Sequence, residues 1–260
     1  MCYAFSGRNT LPDARMPRAH PPRSTLAQLR PTDAELNEYR ERGHAAIVAL
    51  LAECVEQQDP YTRDHGEQVS QYARLAAERL ALTETEKHVA ACAALLHDVG
   101  KVGVRPSVLN KPGPLLPDER EHVETHVRIG YDMLKKIPAL EHVAEAVLYH
   151  HERFDGSGYP EGLAGEQIPM ASRIVAVVDA YCAMLDRRSY KEPYSVDQAR
   201  AELLRCSGTQ FDPVIVRAVL AAIREIDGSM ADRFTPRSVP VQARVQSILI
   251  KEMPYGYAAG

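Results

Sequence analysis

Residues 89–101 read VAACAALLHDVGK. Eight consecutive apolar residues, Val89 to Leu96, stop abruptly at His97-Asp98. The run falls well short of the roughly 18 residues that mark a membrane span. Upstream, Thr83 and Glu86 stand at capping-box spacing, which opens a helix, and Val99-Gly100 closes it. The helix therefore carries a histidine and an aspartate to its buried end. A carboxylate is costly there unless it has a partner. Lys101, four residues after His97, shares its face if the last turn continues. Taken alone, the stretch also reads as an ordinary polar helix C-terminus, where His and Lys suit the negative end of the dipole.

Working outward, other segments repeat the helical pattern. Thr32 and Glu35 form a second capping-box pattern, and Leu36, Tyr39, Ala46, Ile47, Leu50, Cys54 and Val55 follow with helical spacing. Asp59-Pro60 breaks this helix. The next runs to about Leu80 and lines up His65, Val69, Tyr72 and Ala76 on one face. Helices are predicted at 118–135, 138–150, 170–187, 195–206 and 213–226, with Pro138 and Pro213 in first helical positions and Asp212 as a cap. Two Gly- and Pro-rich segments, 100–117 and 152–169, read as long loops, and long loops in compact domains are often functional. No alternating apolar run demands a strand. The fold class is all-α, a helical bundle with two long loops.

The chain of 260 residues, 45% hydrophobic, can bury one sizeable core. Its net charge of −4 gives no field that would draw it onto a nucleic-acid polymer or an anionic membrane. Residues 1–31 hold five prolines and five arginines against one acid, Asp13, and read as a disordered basic tail. The rest divides into a helix within 32–59, a helical domain over 60–228 and an appendage at 229–260. Five widely spaced cysteines without a C-x-x-C pair argue against a disulfide framework and a thiolate zinc site. They fit reduced thiols in the cytoplasm. No stretch reads as a membrane span or signal peptide.

Three further signals carry chemistry. His150-His151 places two adjacent imidazoles at a helix end; a surface pair is the equal alternative. Asp179 lies in IVAVVDAYCAML, residues 174–185, where every other side chain is apolar or tyrosine. An aspartate there needs protonation, a cap or a cation. His65 and His126 each read, by themselves, as core histidines. His122 stands four residues before His126 and is ranked a bystander.

Together these residues, in their order and surroundings, resemble the HD-GYP family, a branch of the HD-domain phosphohydrolases. The matching text is DPYTRDHGEQV, LLHDVGKVGV, LNKPGPL, ETHVRIG, LYHHERFDGSGYPEGLAGEQIPMASRIVAVVDAY, RRSYK and FDP, spread over roughly residues 55–225. The resemblance implies an HD-domain helical bundle and two divalent transition-metal ions. His65, His97, Asp98 and Asp179 would hold one ion; Asp98, His126, His150 and His151 would hold the other. Imidazole and carboxylate donors suit iron or manganese. Asp98 and Lys101 would serve catalysis, and Lys101, Tyr159, Arg188 and Lys191 would contact substrate.

The implied reaction is hydrolysis of cyclic di-GMP to the linear dinucleotide pGpG, with GMP as a further product open to test, in bacterial signalling. The Gly158-Tyr159-Pro160 loop would contact diguanylate cyclases, and helix 33–58 is the candidate for a regulatory input or homodimer contact. Alternatives are a hydrolase of cyclic GMP-AMP or a mononucleotide, and a docking module without catalysis. Three positions depart from the family pattern. Tyr61 replaces a glutamate that supports a third metal in some members, Cys182 replaces an aspartate three residues after Asp179, and Ser189 replaces a proline.

Overall fold

The computed structural model describes residues 43–54, 65–186 and 192–228. All of them belong to one compact unit, Glu41–Gly260. The expected basic tail, the C-terminal appendage, Tyr61, Arg188, Ser189 and Lys191 lie outside the described residues.

Among the described residues there is no β-strand. Two isolated bridges join Asp155 to Ala164 and Ser207 to Phe211. The helices are α1 (43–54), α2 (His65–Arg79), α3 (Glu84–Leu96), α4 (Pro106–Leu109), α5 (Pro117–Glu124), α6 (His126–Leu134), α7 (Glu141–Leu148), α8 (Met170–Leu185), α9 (Val196–Arg205) and α10 (Pro213–Gly228). Short 3-10 turns occur at Val99–Gly103, Pro138–Leu140 and Gly165–Gln167.

The apolar run that opens the reading is the central helix. Ala90 through Leu96 are all buried, and α3 packs on α2, α7 and α8. Its start is capped as expected: the Glu86 N–H donates to Thr83 Oγ1 at 3.3 Å, and Glu86 Oε2 accepts from the Thr83 N–H at 2.8 Å. Helix α10 lies against α2 and α8 and closes that side of the core. Its N-terminus is capped by Asp212, whose Oδ1 accepts from the Val214 N–H at 2.7 Å. The expected face of α2 is also found, with His65, Val69, Tyr72 and Ala76 all buried.

Three expectations need correction. Helix α1 exists, but Ala46, Ile47, Leu50 and Cys54 are exposed. Ala45, Val48, Ala49 and Ala52 face inward instead. The inward stripe is mostly alanine, and Leu51 packs beside it while Ile47 and Leu50 point outward. The 100–117 loop is not without structure, since it contains the 3-10 turn Val99–Gly103 and α4. The single helix expected over 118–135 is two, α5 and α6, separated at Thr125. Thr125 Oγ1 donates back to the His122 carbonyl at 2.6 Å, a local bond that competes with the helical ladder. The second segment is set by the 3-10 turn, which packs directly on α6. There Gly100 lies so close to the backbone that a Cβ at this position would sit 1.9 Å from the His126 carbonyl oxygen.

Candidate metal centre

The seven residues implied as ligands come together, six of them from helix ends. His65 opens α2, His97 ends α3, and Asp98 leads into the 3-10 turn. His126 opens α6, and His150-His151 follow α7 in a turn. Asp179 alone sits within a helix, α8. Helix ends leave side chains free of the i±4 crowding of helix interiors, so several elements can aim at one point.

Two donor clusters result. In the first, the Nε2–H of His65 donates to Asp179 Oδ1 at 3.1 Å, and His97 Nε2 lies 3.6 Å from the same oxygen. In the second, ligand atoms of His126, His150 and His151 all lie within 4.8 Å of one another. Asp98 stands between the clusters. Its Oδ2 is 3.3 Å from His97 Nε2, and its Oδ1 is 3.7 Å from His126 Nε2. The Lys101 ammonium donates to Asp98 Oδ2 at 2.6 Å.

The histidines are held so that one ring nitrogen faces the cleft. The Nδ1–H groups of His97, His126 and His150 donate to the carbonyls of Ala94, Val123 and Val147 at 2.7, 2.8 and 2.7 Å. Each bond fixes the tautomer and leaves Nε2 as the free donor atom. The Nε2 atoms of His126 and His150 are buried and have no hydrogen-bond partner. Buried polar nitrogens are rarely left this way, and a cation is the partner they suit.

Electrostatics divides the two clusters. Burial pushes the imidazole pKa values of His126, His150 and His151 down, and neighbouring imidazoles add to this; His151 falls to about 4. These three rings are neutral donors at neutral pH. Burial also opposes charge on His65, but Asp179 and Asp186 outweigh it and raise the ring to about 10. His97 is raised in the same sense by Asp98 and Asp179. Burial opposes the charge of Asp98 too, yet Lys101 and His97 hold its carboxyl well below the usual range. Asp179, against its own burial, is lowered by His65 and His97. A proton on His65 thus balances carboxylate charge in this cluster, and a cation entering it would displace that proton from Nε2.

Asp179 is not the fully buried aspartate that its apolar flanks suggest. Its side chain is 24% exposed, against 3% for His97, so it stands at the open edge of the cleft. His122 stays outside the clusters and accepts the Arg105 N–H at 3.1 Å.

The 152–169 loop is ordered around features that sequence reasoning missed. The side chain of Glu152, a buried residue, accepts through Oε1 from the Glu161 and Gly162 N–H groups at 2.7 and 3.0 Å. The Phe154 and Asp155 N–H groups donate to the Gln210 and Thr209 carbonyls at 3.1 and 2.8 Å. The part-buried Arg173–Asp212 pair, 2.6 Å apart, ties α8 to the cap of α10. Gly158 passes so close to this backbone that a Cβ would lie 2.3 Å from the Arg153 nitrogen. The Tyr159–Pro160 peptide is cis, and the Tyr159 ring stacks on His151 with centroids 4.9 Å apart. These partners are far apart along the chain, and a carboxylate's hydrogen bonds to backbone leave no periodic trace.

A helical bundle that gathers histidines and aspartates from successive helix ends defines a class. The chain belongs to the HD domain family, whose model matches residues 49–215. The HD-GYP resemblance of its motifs is borne out at this level. It is 42% identical over 196 residues to the cyclic di-GMP phosphodiesterase response regulator RpfG of Xanthomonas campestris pv. campestris, covering 75% of this chain and 52% of that protein. It is 38% identical over 176 residues to the 3'3'-cGAMP-specific phosphodiesterase 2 of Vibrio cholerae, covering 67% of this chain and 34% of that protein. The chain thus spans about half the length, or less, of these relatives. The crystal structure of a cyclic GMP-AMP-specific phosphodiesterase of V. cholerae, V-cGAP3, shares the fold, with a TM-score of 0.56, 23% identity, and coverage of 77% of this chain and 52% of that one. Among the described residues, no helix is long and apolar enough to cross a membrane.

Proposed function

We propose that this domain is a cytoplasmic phosphodiesterase that opens cyclic di-GMP to pGpG using two divalent transition-metal ions, iron or manganese. The observation that carries this reading is the pair of donor clusters with one oxygen of Asp98 facing each. The orphaned Nε2 atoms of His126 and His150 support it. In this reading His65, His97, Asp98 and Asp179 hold one ion, and Asp98, His126, His150 and His151 hold the other. Two ions so placed supply water activation and charge neutralisation, which phosphodiester cleavage requires.

The protein's own residues do the rest. Carbonyls of Ala94, Val123 and Val147 keep the imidazoles in register. Lys101, already at Asp98, adds positive charge beside the scissile phosphate. Tyr159 offers a ring or hydroxyl at the rim. Arg188 and Lys191 grip the substrate's phosphates, Arg188 bidentately. The Gly158-Tyr159-Pro160 loop also presents a surface to diguanylate cyclases. The complete donor set argues against a docking module without catalysis.

A second substrate, cyclic GMP-AMP, is favoured by the similarity to the 3'3'-cGAMP-specific enzyme of V. cholerae. Metal-loaded protein incubated with cyclic di-GMP, 3'3'-cGAMP and linear pGpG, followed by chromatography, separates the readings. Fastest consumption of cyclic di-GMP with a transient pGpG peak is expected; faster consumption of 3'3'-cGAMP would replace the substrate and keep the chemistry.

Arg188→Ala and Lys191→Ala should each weaken cyclic di-GMP binding at least about tenfold and leave metal content unchanged. A charged hydrogen bond contributes about 1.5–3 kcal/mol, and 1.4 kcal/mol is tenfold. Equilibrium binding to the metal-loaded variants is the check, and unchanged affinity in both would assign these side chains to solvent.

A further inference from the structure

We propose that Asp186 is the positioning residue for His65, and that it does for this ring what backbone carbonyls do for His97, His126 and His150. The assignment rests on the two-ion reading and extends it to a residue outside the ligand set.

His97, His126 and His150 each direct Nε2 inward because Nδ1–H is engaged by a carbonyl three residues earlier. His65 solves the same problem differently. Its Nδ1–H donates to Asp186 Oδ2 at 2.8 Å, across 121 residues of sequence, while Nε2 points to Asp179. Asp186 directly follows the last residue of α8, and Asp179 lies seven residues earlier on the same helix. One helix therefore delivers both the neighbouring ligand and the carboxylate that orients the ring.

A carboxylate acceptor differs in kind from a carbonyl. It fixes ring orientation and tautomer, and its charge raises the basicity of the coordinating nitrogen. Such a partner belongs where the ring must compete for a cation at a partly open site, and Asp179 marks that open edge. Position 182 on the same helix is a fully buried cysteine in the core. Asp186 places a carboxylate one turn further along, at the helix end, where it is 33% exposed and within 2.8 Å of the His65 ring.

The test is a calorimetric titration of Mn²⁺ into metal-free protein, comparing wild type, Asp186→Ala and Asp186→Asn. Wild type should show two binding steps. Asp186→Ala should weaken one step by about 10–100-fold, the usual cost of losing such a partner, and leave the other within about twofold. Asp186→Asn keeps an acceptor for Nδ1–H and should recover much of the loss. The metal-free Asp186→Ala protein should melt somewhat below wild type, because the buried His65 ring loses this bond, and Asp186→Asn should regain most of that difference. Two unchanged steps in Asp186→Ala would overturn the assignment. So would equal weakening of both steps with a large drop in apo stability, which would mark a general structural role. Wild-type protein that takes up fewer than two ions would instead overturn the two-ion reading on which the assignment depends.

Discussion

Asp98→Ala is expected to lower hydrolysis by at least about a thousandfold and to weaken metal binding in both clusters. Asp98 is the side chain whose two oxygens face different imidazole sets, His97 on one side and His126 on the other. In the two-ion reading, removing it would take a donor from each ion, and it would also take from Lys101 the carboxylate now 2.6 Å away. Loss of one preorganised electrostatic group commonly costs 10²–10³ in rate, and a group shared by both ions should cost more. Asp179→Ala provides the contrast. Its oxygen meets His65 and His97 alone among the imidazoles, so that variant should empty chiefly one cluster. Turnover measured on cyclic di-GMP, with metal content on the same samples, separates the two. Near-normal turnover in Asp98→Ala, or selective loss of a single ion in that variant, would contradict the assignment.

Gly100→Ala is expected to destabilise the domain by about 3 kcal/mol, the upper part of the usual range for overpacking a tight contact. The added Cβ would meet the His126 carbonyl oxygen at 1.9 Å and the Gly130 nitrogen at 2.5 Å. Both are backbone atoms, which cannot turn aside as a side chain can. The 3-10 turn must therefore lift from α6. For a domain of this size each kcal/mol is about 2–4 °C, so the melting temperature of the metal-free protein should fall by roughly 6–12 °C. Function should suffer along with stability, because His97 and Asp98 enter that turn from one side and His126 lies on the other. Gly43→Ala is the control: nothing lies within 4 Å of its Cβ, and the melting temperature should hold or rise slightly. A Gly100→Ala protein melting within about 2 °C of wild type would mean that the turn and α6 are free to separate.

How much of this was legible in the sequence depends on the range of the forces involved. The run Val89–Leu96 announced a buried helix because burial on all sides needs no partner to be recognised, and the Thr83–Glu86 cap is local. The break at Thr125 was not legible, since the backbone of Gly100 presses on the next residue from another element. The inward face of α1 was misread for a related reason. Ala45, Ala49 and Ala52 are weakly apolar, and only the closeness of the core makes small size more valuable than hydrophobic area there.

The site divides in the same way. His97-Asp98 and His150-His151 stood out as polar pairs closing apolar helices. His65 and His126, taken singly, read as core histidines, and only their place in a family pattern joined them to the others. Glu152, the pairing of Arg173 with the cap residue Asp212, and Asp186 went unnoticed. Their partners lie 9 and 10, 39 and 121 residues away, and no local pattern marks a carboxylate that supports a loop or a ring.

The account turns on two ions held by one set of seven side chains. Protein prepared without oxygen, freed of loosely bound metal and analysed for iron and manganese against protein concentration, measures this directly. Two transition-metal ions per chain, falling together when Asp98 is replaced, is the expected result. A single tightly held ion, or a third retained as firmly as the others, would contradict it.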